Sequence, residues 1–314
     1  MTCIHFIGID VSKEWFDVAV HAQAAKPQRF QNSGAGFAAF ARQFAAELPQ
    51  ALVVLESTGG YETALIAFLL ARKVAVHRAH PLTAKHFIRS LRLHGKTDAL
   101  DALALARYGA ERHASLRLCH VPEAAQQALR ALLSRRADLL AIRMAEQTRS
   151  LHPGYADAAL KASLKAMLKL LNAQLAKLDL RIEALIGQSP PLSAKFAVMT
   201  SVKGIGKQTA LTLLGNMPEL GSLTRRQAAS LAGCAPHPRD SGKTAGYRRT
   251  IGGRAQVKRC LFMAAMAARR FNADLRAFFE RLIQNGKKPM AAITAIMRKL
   301  IVIINAKLRD HAYA

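Results

Sequence analysis

The chain has 314 residues, 51% of them hydrophobic, and carries 46 Lys and Arg against 20 Asp and Glu, a formal net charge of +26. The apolar content suffices for about two packed domains of roughly 150 residues each, which excludes a disordered basic tail. So large a positive excess points to a polyanionic partner, and nucleic acid is the first candidate.

The excess is uneven along the chain. Residues 1 to 120 hold 14 basic and 9 acidic residues, residues 121 to 195 hold 11 and 6, and residues 196 to 314 hold 21 and 5. A uniformly basic, merely soluble surface would not be distributed this way. The four cysteines, Cys3, Cys119, Cys234 and Cys260, are far apart and form no CxxC pair. That excludes a zinc ribbon or a disulfide framework and fits a reduced cytoplasm. The few apolar residues before Asp10 lack a basic leader and a cleavage site, so no signal peptide is expected. The apolar stretch from Met290 to Ala306 is interrupted by Arg298 and Lys299, too early for a membrane span, and reads as a buried or partner-facing helix.

Residues 3 to 9 (CIHFIGI) predict a strand ending at Asp10, and the alternation from Trp15 to His21 predicts a second strand paired through a tight turn. A break at Asn32, Ser33, Gly34 and Gly36 precedes a helix expected from Phe37 to Glu47. Leu52 to Leu55 then reads as a buried parallel strand ending at Glu56. Ser57 to Gly60 turn into a helix from Tyr61 to Arg72, and Val74 to His77 form the next strand. The order β, β, β, α, β, α, β, α is that of a ribonuclease-H-like sheet. Asp10 and Glu56 would then lie at the carboxyl ends of neighbouring strands, where open α/β sheets place their sites. Taken singly, such a residue is more often a turn residue or a helix cap.

A third element adds weight. In KTDALDALALARYG, Thr97 caps a helix whose apolar positions are Leu100, Leu103 and Leu105, and the i, i+3 spacing puts Asp98 and Asp101 on one face. Acids in a first turn also complement the helix dipole, which is the structural alternative. Two like charges so placed repel unless a cation lies between them, and Mg²⁺, or Mn²⁺ in its place, prefers such oxygen ligands. His5, His77, His80, His86 and His94 lack a metal-ligand spacing, and His80 before Pro81 reads as a loop residue.

After Pro122 a long helix is expected to Leu151, a break at Pro153 and Gly154, and a second helix from Asp157 to Ile186. The three-four spacing of Leu164, Met167, Leu168, Leu171, Leu175, Leu178, Ile182 and Leu185 signals an amphipathic hairpin or coiled coil, packed internally or between protomers. Gly187 to Pro191 reads as a linker. The expected division is 1–121, 122–190 and 191–314.

In SVKGIGKQTALTLL, residues 201 to 214, the Gly204-Ile205-Gly206 loop resembles a helix-hairpin-helix, with Ala210, Leu213 and Leu214 facing inward. Glycines there let the backbone approach a phosphate, with Lys203 and Lys207 adding charge, although a plain turn explains them too. Further on, Ser241 sits between Asp240 and Gly242 in a loop crowded by Arg239, Lys243, Arg248, Arg249, Arg254, Lys258 and Arg259. Guanidinium groups bind phosphate bidentately and stabilise charge that develops in group transfer, which a serine nucleophile needs. An ordinary solvent-facing loop serine remains the alternative.

With these motifs assembled, the whole chain resembles the insertion-sequence 110, or DEDD, transposases. The resemblance rests on GIDVSK around Asp10, VVLESTGGYE around Glu56, KTDALDA around Asp98 and Asp101, SVKGIGKQTALTLL, and the APHPRDSGKTAG loop with its basic helix. It implies a RuvC-like catalytic domain, a coiled-coil segment and a mainly α C-terminal transposase domain. Asp10, Glu56, Asp98 and Asp101 would hold Mg²⁺, and Ser241 would form a covalent phosphoserine link with DNA. Donor and target DNA, an element-encoded bridge RNA and further copies of the chain would be its partners, and a nucleoid-associated protein of the bacterial cytoplasm its setting. The implied site is composite, with nucleophile and carboxylates in different domains. Two other readings stay open. One is a RuvC-like junction nuclease acting by metal-activated water, and the other is a nucleic-acid-binding scaffold with structural carboxylates. A sugar-kinase or actin-like ATPase also begins with GIDVSK, but no phosphate loop follows.

Overall fold

The computed structural model describes residues 3–23, 26–91, 97–120, 123–238, 246 and 248–312. Two compact units divide the chain at Pro122 and Glu123.

In the first unit, β1 (His5–Val11), β2 (Trp15–Val20) and β3 (Gln28–Gln31) form an antiparallel meander. Strand β4 (Ala51–Glu56) adds to β1 in parallel and β5 (Ala75–Ala79) adds to β4, giving the order β3-β2-β1-β4-β5. Helix α1 (Gly34–Gln43), capped by Ser33, lies between β3 and β4, and α2 (Thr63–Ala71) joins β4 to β5. Two helices follow β5. The first, α3 (Pro81–Ser90), has no counterpart in the sequence reading, and α4 (Asp98–Arg112) is capped by Thr97 as expected. His80, read as a loop residue, is the N-cap of α3 and accepts a bond from the Leu82 amide at 3.3 Å.

The period-two alternation of the strands separates two faces. Ile7, Ile9, Val11, Val53 and Leu55 pack with Phe37 and Phe40 of α1 and Leu65 and Leu69 of α2. The other face, including Leu52, Val54 and Phe6, packs with Leu105 and Tyr108 of α4. Leu100 and Leu103, expected to face inward, are only partly buried; Ala102, Ala104, Leu105, Ala106, Tyr108 and Gly109 are the buried positions of α4. Small residues are required at Ala102 and Ala106 because α4 lies there with its backbone on β1. A Cβ on Gly8 would come within 2.0 Å of the Ala102 carbonyl oxygen and 2.2 Å of the Ala106 nitrogen.

The second unit is helical. Helices α5 (Ala124–Ser150) and α6 (Ala158–Gln188) form an antiparallel hairpin, with Leu139 packed on Leu171 and Leu175 and Arg136 bonded to Asp179. Met167 of the predicted apolar stripe is exposed. The expected linker at 187–191 is instead helical on both sides of Ser189, because α7 (Pro190–Thr200) begins at once with Pro190 in its first turn. Then come α8 (Lys207–Asn216), α9 (Arg225–Leu231), the two-residue strands β6 (Pro236–His237) and β7 (Arg249–Thr250), α10 (Ala255–Phe271), α11 (Ala273–Gln284) and α12 (Pro289–Ala312). A single core takes Leu129 of α5 and Ile182 and Ile186 of α6 together with α7 to α12. Helix α12 has the length and composition to cross a membrane, yet its Ile293, Ile296, Met297, Leu300, Ile301 and Ile304 belong to that core.

Gly8→Ala should therefore cost about 2–3 kcal/mol of the first unit's stability, since the methyl group meets backbone rather than a movable side chain. Urea denaturation followed by circular dichroism measures this, and loss of less than about 0.5 kcal/mol would contradict the close packing.

Candidate active site

Strand register sets the site. Asp10 follows Gly8 on the same face of β1, and Asp17 of β2 is its antiparallel partner. Ile9 pairs with Leu55 across the parallel β1 and β4, so Glu56 stands beside Asp10 one residue further on, on the face of Leu52 and Val54. Asp17, Asp10 and Glu56 thus form a row across three strands, at the carboxyl ends of the two parallel ones. The first turn of α4, laid over that face by Gly8, brings Asp98 and Asp101.

These carboxylates feel one another. The Asp10 carboxyl is pushed up to about 6 by burial, and then by the charges of Asp101, Asp98, Glu56 and Asp17. Burial also raises Glu56, as does Asp101, while His80 and Lys85 pull it down. The four predicted acids therefore share one electrostatic site.

Their donor chemistry fits a hard dication such as Mg²⁺ or Mn²⁺. However, among the described residues no three His, Cys, Asp or Glu side chains stand close enough to share an ion. Arg29 offsets part of the charge. From β3 it donates to both oxygens of Asp17, at 3.1 and 2.9 Å, and to Asp98 at 3.1 Å. Its own pKa is raised, first by the bond to Asp17.

Two further acids escaped the sequence reading. Asp17, only 7% exposed, could have been found from the alternation of Trp15, Asp17 and Ala19 opposite Asp10. Arg29 carries no such signal, since β3 has no distinctive pattern. Glu62, 1% exposed, accepts from the amides of Thr58 at 3.2 Å and Gly60 at 2.9 Å and pairs with Arg78 at 3.6 Å. Burial would raise its carboxyl, but these amides, its own N–H and Arg78 bring it below the ordinary value. Glu62 thereby fixes the turn that leaves Glu56.

In the second unit, β6 and β7 form the stem of the loop that carries the serine. Ser241 itself, with Arg239 and Lys243, lies outside the described residues. Lys258 donates to Thr250 at 3.1 Å, tying α10 to the stem, and Arg248, Arg249 and Arg259 are exposed. Arg254 is committed to the fold, gripping Glu219 with two bonds of 2.8 and 2.6 Å and also reaching the Asn216 carbonyl. Between α7 and α8, Gly204 has φ of +102° and packs on Ala268, which a Cβ would approach to 2.5 Å. Its glycine character serves this contact with α10. Gly206 and Lys203 are exposed, and Lys207 pairs with Glu183. Ala210, Leu213 and Leu214 face inward as expected. The Cys234 and Cys260 thiols are pushed up by burial to about 11 and about 12, so both are poor nucleophiles.

Two family models match this chain, the DEDD transposases of the IS110 type over residues 7–152 and the IS116/IS110/IS902 transposases over residues 197–280. The chain belongs to the IS110 family of transposases. It is 29% identical over 320 residues to a pilin gene-inverting protein of Moraxella bovis, covering 98% of this chain and 96% of that one. It is also 33% identical over 153 residues to an uncharacterized protein of insertion element IS110 from Streptomyces coelicolor, covering 48% of this chain and 37% of that one. In IS110 terms, the acid row and α4 fall in the first matched region, and the serine loop and its stem in the second.

The raised Asp10 carboxyl sets a pH dependence. With no metal present, the folded carboxyl keeps its proton between about pH 4 and about 6 while the unfolded one, at its ordinary 3.8, has lost it. Stability should fall as pH rises through that window and stay low above it. In EDTA at pH 7.5, Asp10→Asn should be more stable than the parent by about 1 kcal/mol, a figure reduced because solvent reaches this group. Added Mg²⁺ should raise the melting temperature of the parent and leave Asp10→Asn nearly unmoved. A parent protein indifferent to Mg²⁺ would count against the carboxylates as its ligands. Arg29→Ala should lower the melting temperature in EDTA, and Mg²⁺ should recover only the part of that loss that comes from Asp98.

Proposed function

We propose that this chain cuts and rejoins DNA strands through a covalent phosphoserine intermediate, with Ser241 as nucleophile and Asp10, Glu56, Asp98 and Asp101 as ligands of a divalent metal. The observation that carries this reading is the acid row itself. A strongly basic chain partly buries Asp10 and sets several carboxylates around it, so that its carboxyl is pushed up to about 6, first by burial and then by those charges, an arrangement whose energetic cost a dication would offset. When bound, the metal supplies Lewis-acid stabilisation of the phosphate and a lowered pKa for the attacking hydroxyl.

The chain's own residues do the rest. Asp17, held by Arg29, backs Asp10 from the neighbouring strand, and the Glu62-braced turn fixes Glu56. Ser241 Oγ attacks phosphorus and gives up its proton, a new serine P–O bond forms, and the bond to a deoxyribose oxygen breaks, that oxygen leaving as a hydroxyl. A deoxyribose hydroxyl of the recombining strand then attacks the phosphoserine and releases the serine. Bond energy is conserved, as an inverting or transposing reaction requires. Arg239, Lys243, Arg248, Arg249 and Arg259 are suited to neutralise the phosphate on either side. The similarity to a protein named for inverting a pilin gene, along nearly the whole of both chains, supports recombination over simple cutting. By family resemblance, an element-encoded bridge RNA pairs donor with target and further copies of the chain complete the assembly.

A second reading is hydrolysis by metal-activated water, and it has an observation of its own. The first matched family is that of the DEDD transposases, and Asp10, Glu56, Asp98 and Asp101 all lie within its residues 7–152. The two are separated by Ser241→Ala in a reaction with Mg²⁺, labelled donor and target DNA and the flanking transcript. We expect Ser241→Ala to lose the protein-linked DNA adduct and all joined product while DNA binding changes by less than about threefold. Asp10→Ala should lose both as well. Nicking by Ser241→Ala that still needs Asp10 would establish the hydrolytic nuclease instead.

A further inference from the structure

At the corner where α10 gives way to α11, Arg269, Arg270, Phe271, Arg276, Phe279 and Glu280 surround a cavity of about 520 Å³. This volume falls within the range of roughly 300–1,000 Å³ typical of small-ligand sites. Phe271 leaves 74% of its surface exposed, an unusual position for a phenyl ring. The corner is braced from within. Arg276 donates to the carbonyl of Arg269 at 3.4 Å and to that of Arg270, which caps the end of α10. Asn272 accepts from the amides of Asp274 and Leu275 at 3.1 and 3.2 Å, which caps the start of α11. Rings and cations are interleaved, with the Arg269 guanidinium 4.9 Å from the centre of the Phe279 ring and that of Arg270 5.8 Å from Phe271. Among the described residues, neither Arg269 nor Arg270 has an ion-pair partner, and Glu280 is the lone acid of the lining.

A ligand for such a cavity must be flat and apolar on one side and anionic beside it. We propose that it receives an unpaired nucleotide, with the base stacked on Phe271 and the adjoining phosphates held by Arg269 and Arg270. Exposed rings beside guanidinium groups are the usual sequence-tolerant platform for single strands, and a duplex hides its base faces. A path leads to the cavity as well. Arg259, Met263 and Arg270 are all exposed and recur at four- and seven-residue spacing, so they lie on one side of α10. They span about 16 Å of helix, the reach of two or three nucleotides. The path begins next to Lys258, which is bonded to the stem of the serine loop. A strand passing that stem would be guided along α10 into the cavity. The proposal rests on the reading of this chain as one that handles nucleic acid strands.

The test uses the full-length protein and fluorescence anisotropy with a labelled 12-mer, as single-stranded DNA, single-stranded RNA and duplex DNA. Phe271→Ala should weaken single-strand binding about tenfold, the order expected for one lost base stack, and change duplex binding by less than twofold. Phe271→Trp should restore the single-strand affinity. Arg270→Ala should weaken binding and flatten its salt dependence, whereas Phe271→Ala should leave that slope alone. A loss confined to RNA or to DNA identifies which strand docks here. Unchanged single-strand affinity in Phe271→Ala, an equal loss on duplex, or failure of the tryptophan to rescue would each overturn the proposal. Strand cutting by the same proteins keeps the two readings apart. If the parent never cuts or joins DNA but Phe271→Ala still loses single-strand affinity, the recombinase reading fails and the cavity stands.

Discussion

The first unit depends on one contact, the backbone of α4 against the bare Cα of Gly8. Any side chain at that position would hold the helix away from the sheet. Gly109 repeats the device two turns later, where a Cβ would meet Val54 at 2.9 Å. With the helix seated so low, its first turn comes down over the ends of β1 and β4. The distance between Asp98, Asp101 and the acid row is thus set by packing in the middle of the element, far from the carboxylates themselves. This arrangement suits a metal-binding set, because repelling charges do not assemble themselves and need a rigid frame to hold them.

The electrostatics of the row and of its surroundings differ in sign. Among the described residues Glu62 is as buried as any acid, yet backbone amides and Arg78 satisfy it and its carboxyl is lowered. Asp10 leaves more of its surface exposed, and its carboxyl is raised. The contrast separates a carboxylate that stabilises the fold from one that the fold holds at a cost. Arg29 stands between the two kinds. It satisfies Asp17 fully and Asp98 in part, so a metal entering the row would compete with Arg29 for Asp98 alone, while Asp17 would stay paired behind it. On the proposed reading, that would make the Asp98 contact the adjustable part of the site.

The N-terminal pattern was legible because its signals are local. Strand alternation, the turn residues after Glu56 and the Thr97 cap each reside within a few residues, and the order of elements other than α3 followed from them. Three further features were not legible. Leucines on α4 suggested the usual apolar stripe, whereas the close contact with Gly8 selected alanines for the buried face. Arg29 gains its meaning only from the register of β3 on β2 and from a helix nearly seventy residues later. The boundary at 187–191 looked like a linker because it holds Gly, Ser and two prolines, but Pro190 at the first turn of α7 starts a helix as readily as it ends one.

Charge counting likewise located the most basic third of the chain without distinguishing its members. Arg254, in the middle of the most basic run, is locked to Glu219 and the end of α8, and Lys207 is paired with Glu183. Arg276 spends its donors on the carbonyls that end α10. These cations hold elements in place, whereas Arg248 and Arg249 at the loop stem and Arg259 and Arg270 along α10 are exposed. The residues that hold the frame and those that face outward alternate along the sequence because α10 and its flanking turns have an inner and an outer side. A strand bound on the outer side would therefore gain cations at a helical spacing, with Phe271 at the end of the row.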